Sequence, residues 1–150
     1  MQIEKMAKKH IDEVYLISVE EFKENSWSKN LFIKEIEDNK FKISFVILIN
    51  KIVAGFINLS FNDEEMTILN IATKKEFKRM GIATALIKKS VDIAKQKNLA
   101  QIFLEVEIDN MPAIKLYEKF GFEILKIRKN YYPNHKDAIE MLKKIKTNIE

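Results

Sequence analysis

A short basic turn with a single glycine separates an apolar run from an amphipathic helix, and its residue types suit the binding of an anion. The turn reads Phe77-Lys78-Arg79-Met80-Gly81-Ile82-Ala83-Thr84 and follows the apolar run at residues 66–73. The first turn of a helix has unpaired backbone N–H groups and the positive end of the helix dipole, so a phosphate placed there meets donors and favourable charge. Gly81 and Ala83 keep side-chain bulk away from those amides. Strand-to-helix connections that bind nothing also carry glycines, so the turn by itself leaves both interpretations open.

A second group of motifs lies in the C-terminal half. It consists of Phe103-Leu104-Glu105-Val106, Asn110, and the helical stretch Lys115-Leu116-Tyr117-Glu118-Lys119-Phe120-Gly121-Phe122. Together with the glycine turn, these residues resemble the signature of the GCN5-related N-acetyltransferases. In that family the pattern Gln or Arg, two residues, Gly, one residue, then Gly or Ala forms the acyl-CoA pyrophosphate loop. Lys78 departs from the first position of the pattern, so the resemblance implies the backbone cradle there and leaves a side-chain contact from Lys78 open.

A narrower resemblance concerns one branch of this family, the enzymes that acetylate the N-terminal alanine of a small-subunit ribosomal protein. It rests on Ser26-Trp27-Ser28, Leu69-Asn70-Ile71-Ala72, Arg128-Lys129-Asn130-Tyr131-Tyr132-Pro133 and Asp137-Ala138. The match covers residues 11–142, nearly the whole chain. Ser26 departs from it, because this branch usually has proline there. The resemblance implies acetyl-CoA as cosubstrate and a protein N-terminus, that of a ribosomal protein, as acceptor.

The resemblance also implies two catalytic residues. Aminolysis of a thioester needs an uncharged amine, a polarised carbonyl and a protonated leaving sulfur. Glu105 matches the family's base, and Tyr117 matches its acid, since a phenol with a pKa of ~10 can protonate a thiolate of pKa ~8.5 in a bound complex. Without the family, Glu105 would be interpreted as a surface residue and Tyr117 as a core tyrosine on an apolar helix face.

Further site residues follow from the same match. The strand that holds the pantetheine arm corresponds to Ile71, Ala72 and Thr73, and the pyrophosphate loop corresponds to Arg79, Met80, Gly81, Ile82, Ala83 and Thr84. Asn110 matches an asparagine near the cofactor, and the same residue type also caps helices without any ligand. The candidates for gripping the acceptor peptide are Trp27, Tyr131 and Tyr132, which core packing would explain equally well.

Hydrophobic periodicity indicates the elements that must position these residues. In the N-terminal half, helical spacing from Ile11 to Phe22 predicts a helix of about 15 residues. Ser28 is the predicted N-cap of a second helix with Leu31, Phe32, Ile33 and Ile36 facing inward. β-Branched and aromatic runs predict strands at residues 43–49, 52–61 and 66–73, and Asn50-Lys51 predicts a tight hairpin between the first two.

The C-terminal half continues the alternation. The glycine turn opens a helix, residues 102–108 form a strand, and a helix with Pro112 in its first turn ends at Gly121. Strands follow at residues 122–129 and 138–142, and residues 143–150 are predicted to be a solvated tail. This order predicts an α/β (α+β) single domain over residues 1–150, with its core at about 3–142. Its sheet is mixed and mainly antiparallel, with helices on both faces.

Composition narrows the function classes. The chain has no cysteine and two distant histidines, so we expect no thiolate or zinc site and no metal. No stretch of ~20 apolar residues and no signal-like segment is present, so we expect no membrane and a cytoplasmic location. The net charge of +4 comes from lysines scattered over polar helix faces, which makes nucleic acid an unlikely partner. The oligomeric state is not predicted.

Three functions remain in order of preference. The first is a protein Nα-acetyltransferase that acts on a ribosomal protein's N-terminal alanine. The second is an acetyltransferase of lysine side chains or small amines, and the chemistry shared by the two does not separate them. The third is a non-catalytic acyl-CoA-binding or RNA-associated module, which would need neither Glu105 nor Tyr117 and for which no RNA-recognition motif is present.

Overall fold

The computed structural model describes residues 1–146 and shows one seven-stranded sheet with four α-helices in that part of the chain. The strands are β1 Gln2–Lys5, β2 Lys42–Ile49, β3 Ile52–Phe61, β4 Glu65–Thr73, β5 Gln101–Glu107, β6 Glu123–Arg128 and β7 Ala138–Lys144. The helices are α1 Ile11–Phe22, α2 Lys29–Glu35, α3 Ile82–Gln96 and α4 Met111–Lys119. Helix α1 is shorter than the helix of about 15 residues expected from its periodicity, because a 3₁₀ turn at Lys23–Asn25 replaces its last turn.

The strand order is β1-β2-β3-β4-β5-β7-β6, and only the β4–β5 pair is parallel. The prediction of a mixed, mainly antiparallel sheet is therefore confirmed. Strand β1 was not predicted from the sequence. It has four residues and only Ile3 is apolar, so its pairing with β2 at the sheet edge defines it rather than any local pattern.

The predicted hairpin between β2 and β3 is confirmed. Asn50 and Lys51 both have positive φ, at 50° and 66°. Two central residues in this left-handed region make a turn whose twist matches that of the flanking strands. The turn sets the register of β2 against β3. Strand β3, the longest strand of the sheet, also pairs antiparallel with β4 on its other side.

Helices cover both faces of the sheet, as predicted. Helices α3 and α4 bury Leu86, Ile87 and Ile114 against one face, and α1 and α2 bury Val14 and Phe32 against the other. The two separate apolar clusters are the two sides of one sheet. No helix within residues 1–146 has both the length and the apolar character that crossing a membrane requires.

Helix α2 confirms one prediction and corrects another. The Ser28 hydroxyl accepts a hydrogen bond from the Leu31 amide at 3.2 Å and so caps the helix, as predicted. The expectation that Leu31 faces inward is wrong, because the side chain is exposed. Phe32 and Glu35, three residues apart, occupy the buried face of α2. Leu31 lies one residue before Phe32, about 100° around the helix axis, so on this short helix its side chain points outward.

The C-terminal boundary also differs from the prediction. Strand β7 continues to Lys144, and Ile145 is buried with its amide donating to the Ala100 carbonyl at 2.8 Å. A solvated tail from residue 143 is therefore wrong for residues 143–145, since β7 must match the length of its neighbour β5, where Lys144 pairs with Gln101. Lys146 is exposed, and residues 147–150 of the predicted tail lie outside the described residues.

Candidate active site

The sheet divides into two halves where β4 and β5 stop pairing. Their parallel pairing ends at Ile68 and Leu104, after which β4 continues to Thr73 against β3 alone and β5 continues against β7. A bulge at Leu69 bends β4 at this point. The two strands beyond the split no longer satisfy each other's backbone groups, so those groups are available to a ligand inserted between them.

The predicted pantetheine strand lies along this split. Ile71, Ala72 and Thr73 pair with β3 on one side, and their other side faces the gap toward β5. The 3₁₀ turn Lys75–Phe77 follows directly and leads to the glycine turn. The strand and the turn that the resemblance assigns to one cofactor are therefore adjacent in the structure.

The glycine turn ends in an open helix N-terminus. Gly81 is the N-cap of α3 with φ 81°, and Arg79 before it has φ 66°. The first amide of the helix with a partner is that of Ala85, which donates to the Gly81 carbonyl at 3.0 Å. The amides before it belong to Ile82, Ala83 and Thr84. The side chain of Ile82 is buried, so this residue offers a ligand only its backbone, while Arg79, Met80 and Gly81 are exposed.

Gly55 allows the start of α3 to approach the sheet. A Cβ placed on Gly55 would lie 2.6 Å from Ile82 Cγ2 and 2.9 Å from the Ala72 carbonyl oxygen. Neither distance is tolerable for a side chain, and the second involves backbone that cannot move aside. The start of α3 therefore approaches the sheet closely at Gly55, which brings the helix N-terminus next to the end of β4.

Lys78 makes a contact within the protein. Its ammonium group forms an ion pair with Glu21 of α1 at 2.7 Å. The lysine at the first position of the family pattern thus joins the glycine turn to helix α1.

Glu105 is the first residue of β5 beyond the split, and both of its carboxylate oxygens have partners. The Tyr131 hydroxyl donates to Oε1 at 2.8 Å, and Arg128 Nε forms an ion pair with Oε2 at 2.9 Å. Arg128 Nη2 also binds Glu140 of β7 at 2.7 Å. The hydrogen bond with Glu140 and the charges of Glu140 and Glu105 raise the pKa of Arg128. The candidate base is therefore exposed enough to meet a substrate and yet held by one hydrogen bond and one ion pair.

Tyr131 and Tyr132 lie near this carboxylate, and their role in gripping the acceptor peptide stays a prediction. The hydrogen bond to Glu105 raises the pKa of Tyr131, and the two rings meet edge to face at 5.2 Å. Burial raises the pKa of Tyr132, with further contributions from the charges of Glu105 and Glu107. Both phenols stay protonated at neutral pH, so each can donate a hydrogen bond there.

Tyr117 lies on the buried face of α4, with its ring centroid 5.9 Å from that of Phe122. Burial raises its pKa, and the charge of Glu21 adds to the effect. The phenol therefore carries its proton at neutral pH. Within residues 1–146 its hydroxyl makes no hydrogen bond, and its role as an acid stays a prediction.

The other predicted residues have structural contacts of their own. Trp27 is half-buried with its ring centroid 5.2 Å from that of Phe32, and so belongs to the apolar cluster under α2. Ser26 fixes this loop through its hydroxyl contact with the buried Ser18 at 2.7 Å. Asn110 caps α4 by accepting from the Ala113 amide at 3.4 Å. The roles of Trp27 and Asn110 toward ligands stay predictions.

Two loops meet beside Glu105 and border the site. The Asn25 amide group donates to Glu107 at 2.7 Å, and its oxygen accepts from the Asn134 amide at 3.2 Å. Lys136 binds Asp109 at 2.7 Å, and this hydrogen bond lowers the pKa of Asp109. The loop after α1 and the loop after β6 are thereby tied together. Within residues 1–146, no group of three His, Asp or Glu side chains is arranged to hold a metal ion.

Sequence reasoning missed three residues of this region, namely Arg128, Glu140 and Asn25. Arg128 was part of a motif without a role, and Glu140 had none. One signal was available: the chain has 24 lysines and only two arginines, Arg79 and Arg128. A chain that uses arginine so rarely places it where a planar, multidentate donor is needed.

Comparisons with known proteins agree with this arrangement. A sequence model of the acetyltransferase (GNAT) family matches residues 8–122. A relative in Bacillus subtilis (strain 168), named provisionally as a ribosomal protein bS18-alanine N-acetyltransferase, is 34% identical over 140 residues, 93% of this chain and 92% of its own. The crystal structure of the ribosomal-protein-S18-alanine N-acetyltransferase from Escherichia coli superposes with a TM-score of 0.86 at 29% identity, covering 96% of this chain and 93% of that one. Arabidopsis thaliana NAA60, crystallised with acetyl-CoA, shares the fold with a TM-score of 0.81 at 16% identity, covering 96% of this chain and 98% of that one.

Proposed function

The chain belongs to the acetyltransferase (GNAT) family, and we propose that it transfers the acetyl group of acetyl-CoA to the N-terminal alanine of a small-subunit ribosomal protein in the cytoplasm. The observation that carries the proposal is the position of Glu105. This carboxylate stands one residue past the split, opposite the strand that leads into the glycine turn. A proton acceptor and an anion cradle thus border the same gap.

Backbone groups provide the site for acetyl-CoA. The open amides of residues 82–84 and the exposed Arg79 and Met80 face the diphosphate, and the free edge of Ile71, Ala72 and Thr73 holds the pantetheine arm. Asn110 lies at the far side of the split, at the start of α4. Amides along this edge also polarise the thioester carbonyl, where negative charge develops during the reaction.

The side chains account for the proton transfers. Glu105 takes a proton from the acceptor's α-ammonium group, directly or through water, and the free amine forms the new C–N bond. The C–S bond then breaks, Tyr117 gives its proton to the departing sulfur, and the second proton that the new amide nitrogen loses restores the Tyr117 phenol. Trp27, Tyr131 and Tyr132 contact the acceptor peptide, with Tyr132 in the electrostatic range of both Glu105 and Tyr117.

The preference for an α-amine has a physical reason. An α-amine of pKa ~8 is about one-tenth unprotonated at pH 7, whereas a lysine near ~10.4 is uncharged in only a few parts per ten thousand. A carboxylate base therefore has to shift the protonation equilibrium of the amine far less for a chain N-terminus than for a lysine side chain. Relatives named for acetylating an N-terminal alanine support the same choice.

A panel of acceptors with acetyl-CoA tests the proposal. It contains peptides with a free N-terminal alanine, the same peptides with the amine blocked, a lysine peptide and small amines. We expect acetylation of the free alanine peptide and loss of the signal on blocking. Mass spectrometry that locates the acetyl group on internal lysines at comparable or higher rates would replace this function with the lysine or small-amine alternative.

Variants test the roles within the site. Glu105→Gln should lose most turnover and retain acetyl-CoA binding. Glu107→Gln is the matched control, since it lies two residues along the same face of β5 and bonds to Asn25. Trp27→Ala and Tyr132→Ala should raise the peptide KM more than the acetyl-CoA KM. Equal losses in the Glu105 and Glu107 variants would remove Glu105 from the base role.

A further inference from the structure

Arg128 connects two carboxylates that the sheet places side by side. Glu105 of β5 and Glu140 of β7 are register partners in the antiparallel pair, so their side chains emerge next to each other on one face. Directly opposed like charges on neighbouring strands repel. Arg128 of β6 contacts both groups, at 2.9 Å from Glu105 Oε2 and 2.7 Å from Glu140 Oε2.

The contacts use the shape of the guanidinium group. Arg128 Nε lies within reach of both carboxylates, 2.9 Å from Glu105 and 3.2 Å from Glu140, while Nη2 binds Glu140 alone. The Tyr131 ring stacks against the same guanidinium at 5.9 Å. A lysine ammonium is a point charge on a flexible stem and cannot hold this geometry. The use of one of only two arginines at this place among 26 basic residues fits that requirement.

We propose that Arg128 is a positioning residue that separates Glu140 from Glu105 and holds the Glu105 carboxylate with its remaining lone pairs toward the acceptor amine. This inference rests on the proposed function. A carboxylate has about four acceptor positions. The Tyr131 hydroxyl occupies one on Oε1, and the Arg128 guanidinium lies beside Oε2 as an ion pair. The remaining positions receive the ammonium proton. Glu140 acts one step further away, because it anchors the Arg128 guanidinium through Nη2.

The charges that face Glu105 come from four neighbouring elements. Arg128 lies on β6, Glu140 on β7 and Glu65 on β4, where Glu65 and Glu140 line the same groove as Glu105. Tyr131 and Tyr132 come from the loop after β6, and Glu107 lies on β5 itself. Among these groups, Arg128 supplies the guanidinium that directly contacts Glu105. Its removal leaves Glu105 and Glu140, the two register partners, facing each other without a cation between them.

Kinetics of Arg128→Met test the positioning role. A misplaced catalytic group costs up to roughly a hundredfold, so kcat with the acceptor peptide should fall about ten- to a hundredfold while the acetyl-CoA KM changes less than about twofold. Arg128→Lys should recover only part of the loss. Lys126→Met is the matched control, because it removes an exposed cation two residues earlier on the same strand and should leave kcat unchanged.

The pH profile separates this role from a merely structural one. Two facing carboxylates without a cation between them hold a proton more readily, so the acidic limb of kcat should move to higher pH by roughly one unit in Arg128→Met. Adding Glu140→Gln removes the repelling charge and should return the limb toward its wild-type position. An acidic limb that stays in place in both variants would overturn the proposal.

A structure of the Arg128→Met protein gives a readout that needs no acceptor. We expect the Glu105 carboxylate in a different rotamer or turned away from the split, and an unchanged Glu105 in a crystal structure of the variant would refute the positioning role. If the wild-type protein acetylates another amine and leaves alanine peptides unmodified, the proposed acceptor fails, and the same kinetic tests of Arg128 proceed with that amine. If it acetylates no amine, the crystal structure of the Arg128→Met variant alone tests the positioning role.

Discussion

The cofactor assignment depends on backbone conformation at one residue, and Gly81→Val tests it. Gly81 has φ 81°, a left-handed conformation that costs a residue with a β-carbon roughly 1–2 kcal/mol. A Cβ at this position meets no protein atom within 4 Å. The substitution therefore strains the backbone without disturbing the core, and the new side chain enters the space in front of the helix amides.

Gly121→Val provides a matched control. Gly121 ends α4 with φ 90°, so valine there carries the same backbone cost, and its nearest contact is the mobile end of Lys143 at 3.2 Å. Both variants should lose roughly 1–2 kcal/mol of unfolding free energy, which corresponds to a Tm lower by about 2–8 °C in a chain of this size.

Cofactor binding should separate the two variants. Hydrogen bonds to a charged group contribute about 1.5–3 kcal/mol each, so loss of one such bond to the diphosphate weakens acetyl-CoA binding roughly ten- to a hundredfold. We expect this loss in Gly81→Val and an unchanged Kd in Gly121→Val by isothermal titration calorimetry. If a folded Gly81→Val protein bound acetyl-CoA with wild-type affinity, or if both variants lost affinity equally, the glycine turn would not be the diphosphate site.

Three further outcomes are expected. Tyr117→Phe keeps the ring packing and removes the proton, so kcat should fall about 10²- to 10⁴-fold with little change in acetyl-CoA affinity, and a loss under about threefold with chemistry rate-limiting would return Tyr117 to a packing role. Burial raises the pKa of Tyr117 above the ~10 of the unfolded chain, so the stability that this residue contributes is present below about pH 10 and falls by about 1.4 kcal/mol per pH unit above it. Urea unfolding of the wild type and of Tyr117→Phe at pH 8 to 11 checks this. Unfolding free energies of the two proteins that run parallel over this pH range would contradict it. Ile145→Ala should lower the unfolding free energy by roughly 2–4 kcal/mol, whereas a change below about 0.5 kcal/mol would restore the solvated tail.

Local physics explains what was predicted correctly from the sequence. The Asn50-Lys51 turn, the Ser28 cap, the helix end at Gly121 and the helix that Gly81 opens each depend on a few consecutive residues whose backbone preferences act at that place. Hydrophobic periodicity then assigns the strands and helices to one mixed sheet, because a period of two or of 3.6 is itself a local property. The family resemblance was confirmed because its motifs lie on these same local elements.

Contacts between distant parts of the chain decided the rest. Strand β1 and the end of β7 exist because a neighbouring strand pairs with them, and the apolar content of their own residues is too low to show it. Trp27 packs on Phe32, and no short sequence pattern shows that this part of the chain lies against the core. Glu105, Arg128 and Glu140 come together only because β7 inserts between β5 and β6, an order that places residues 12 to 35 positions apart within one hydrogen-bonded cluster. The family resemblance predicted Glu105 as the base, and only the strand order showed which cation lies beside it.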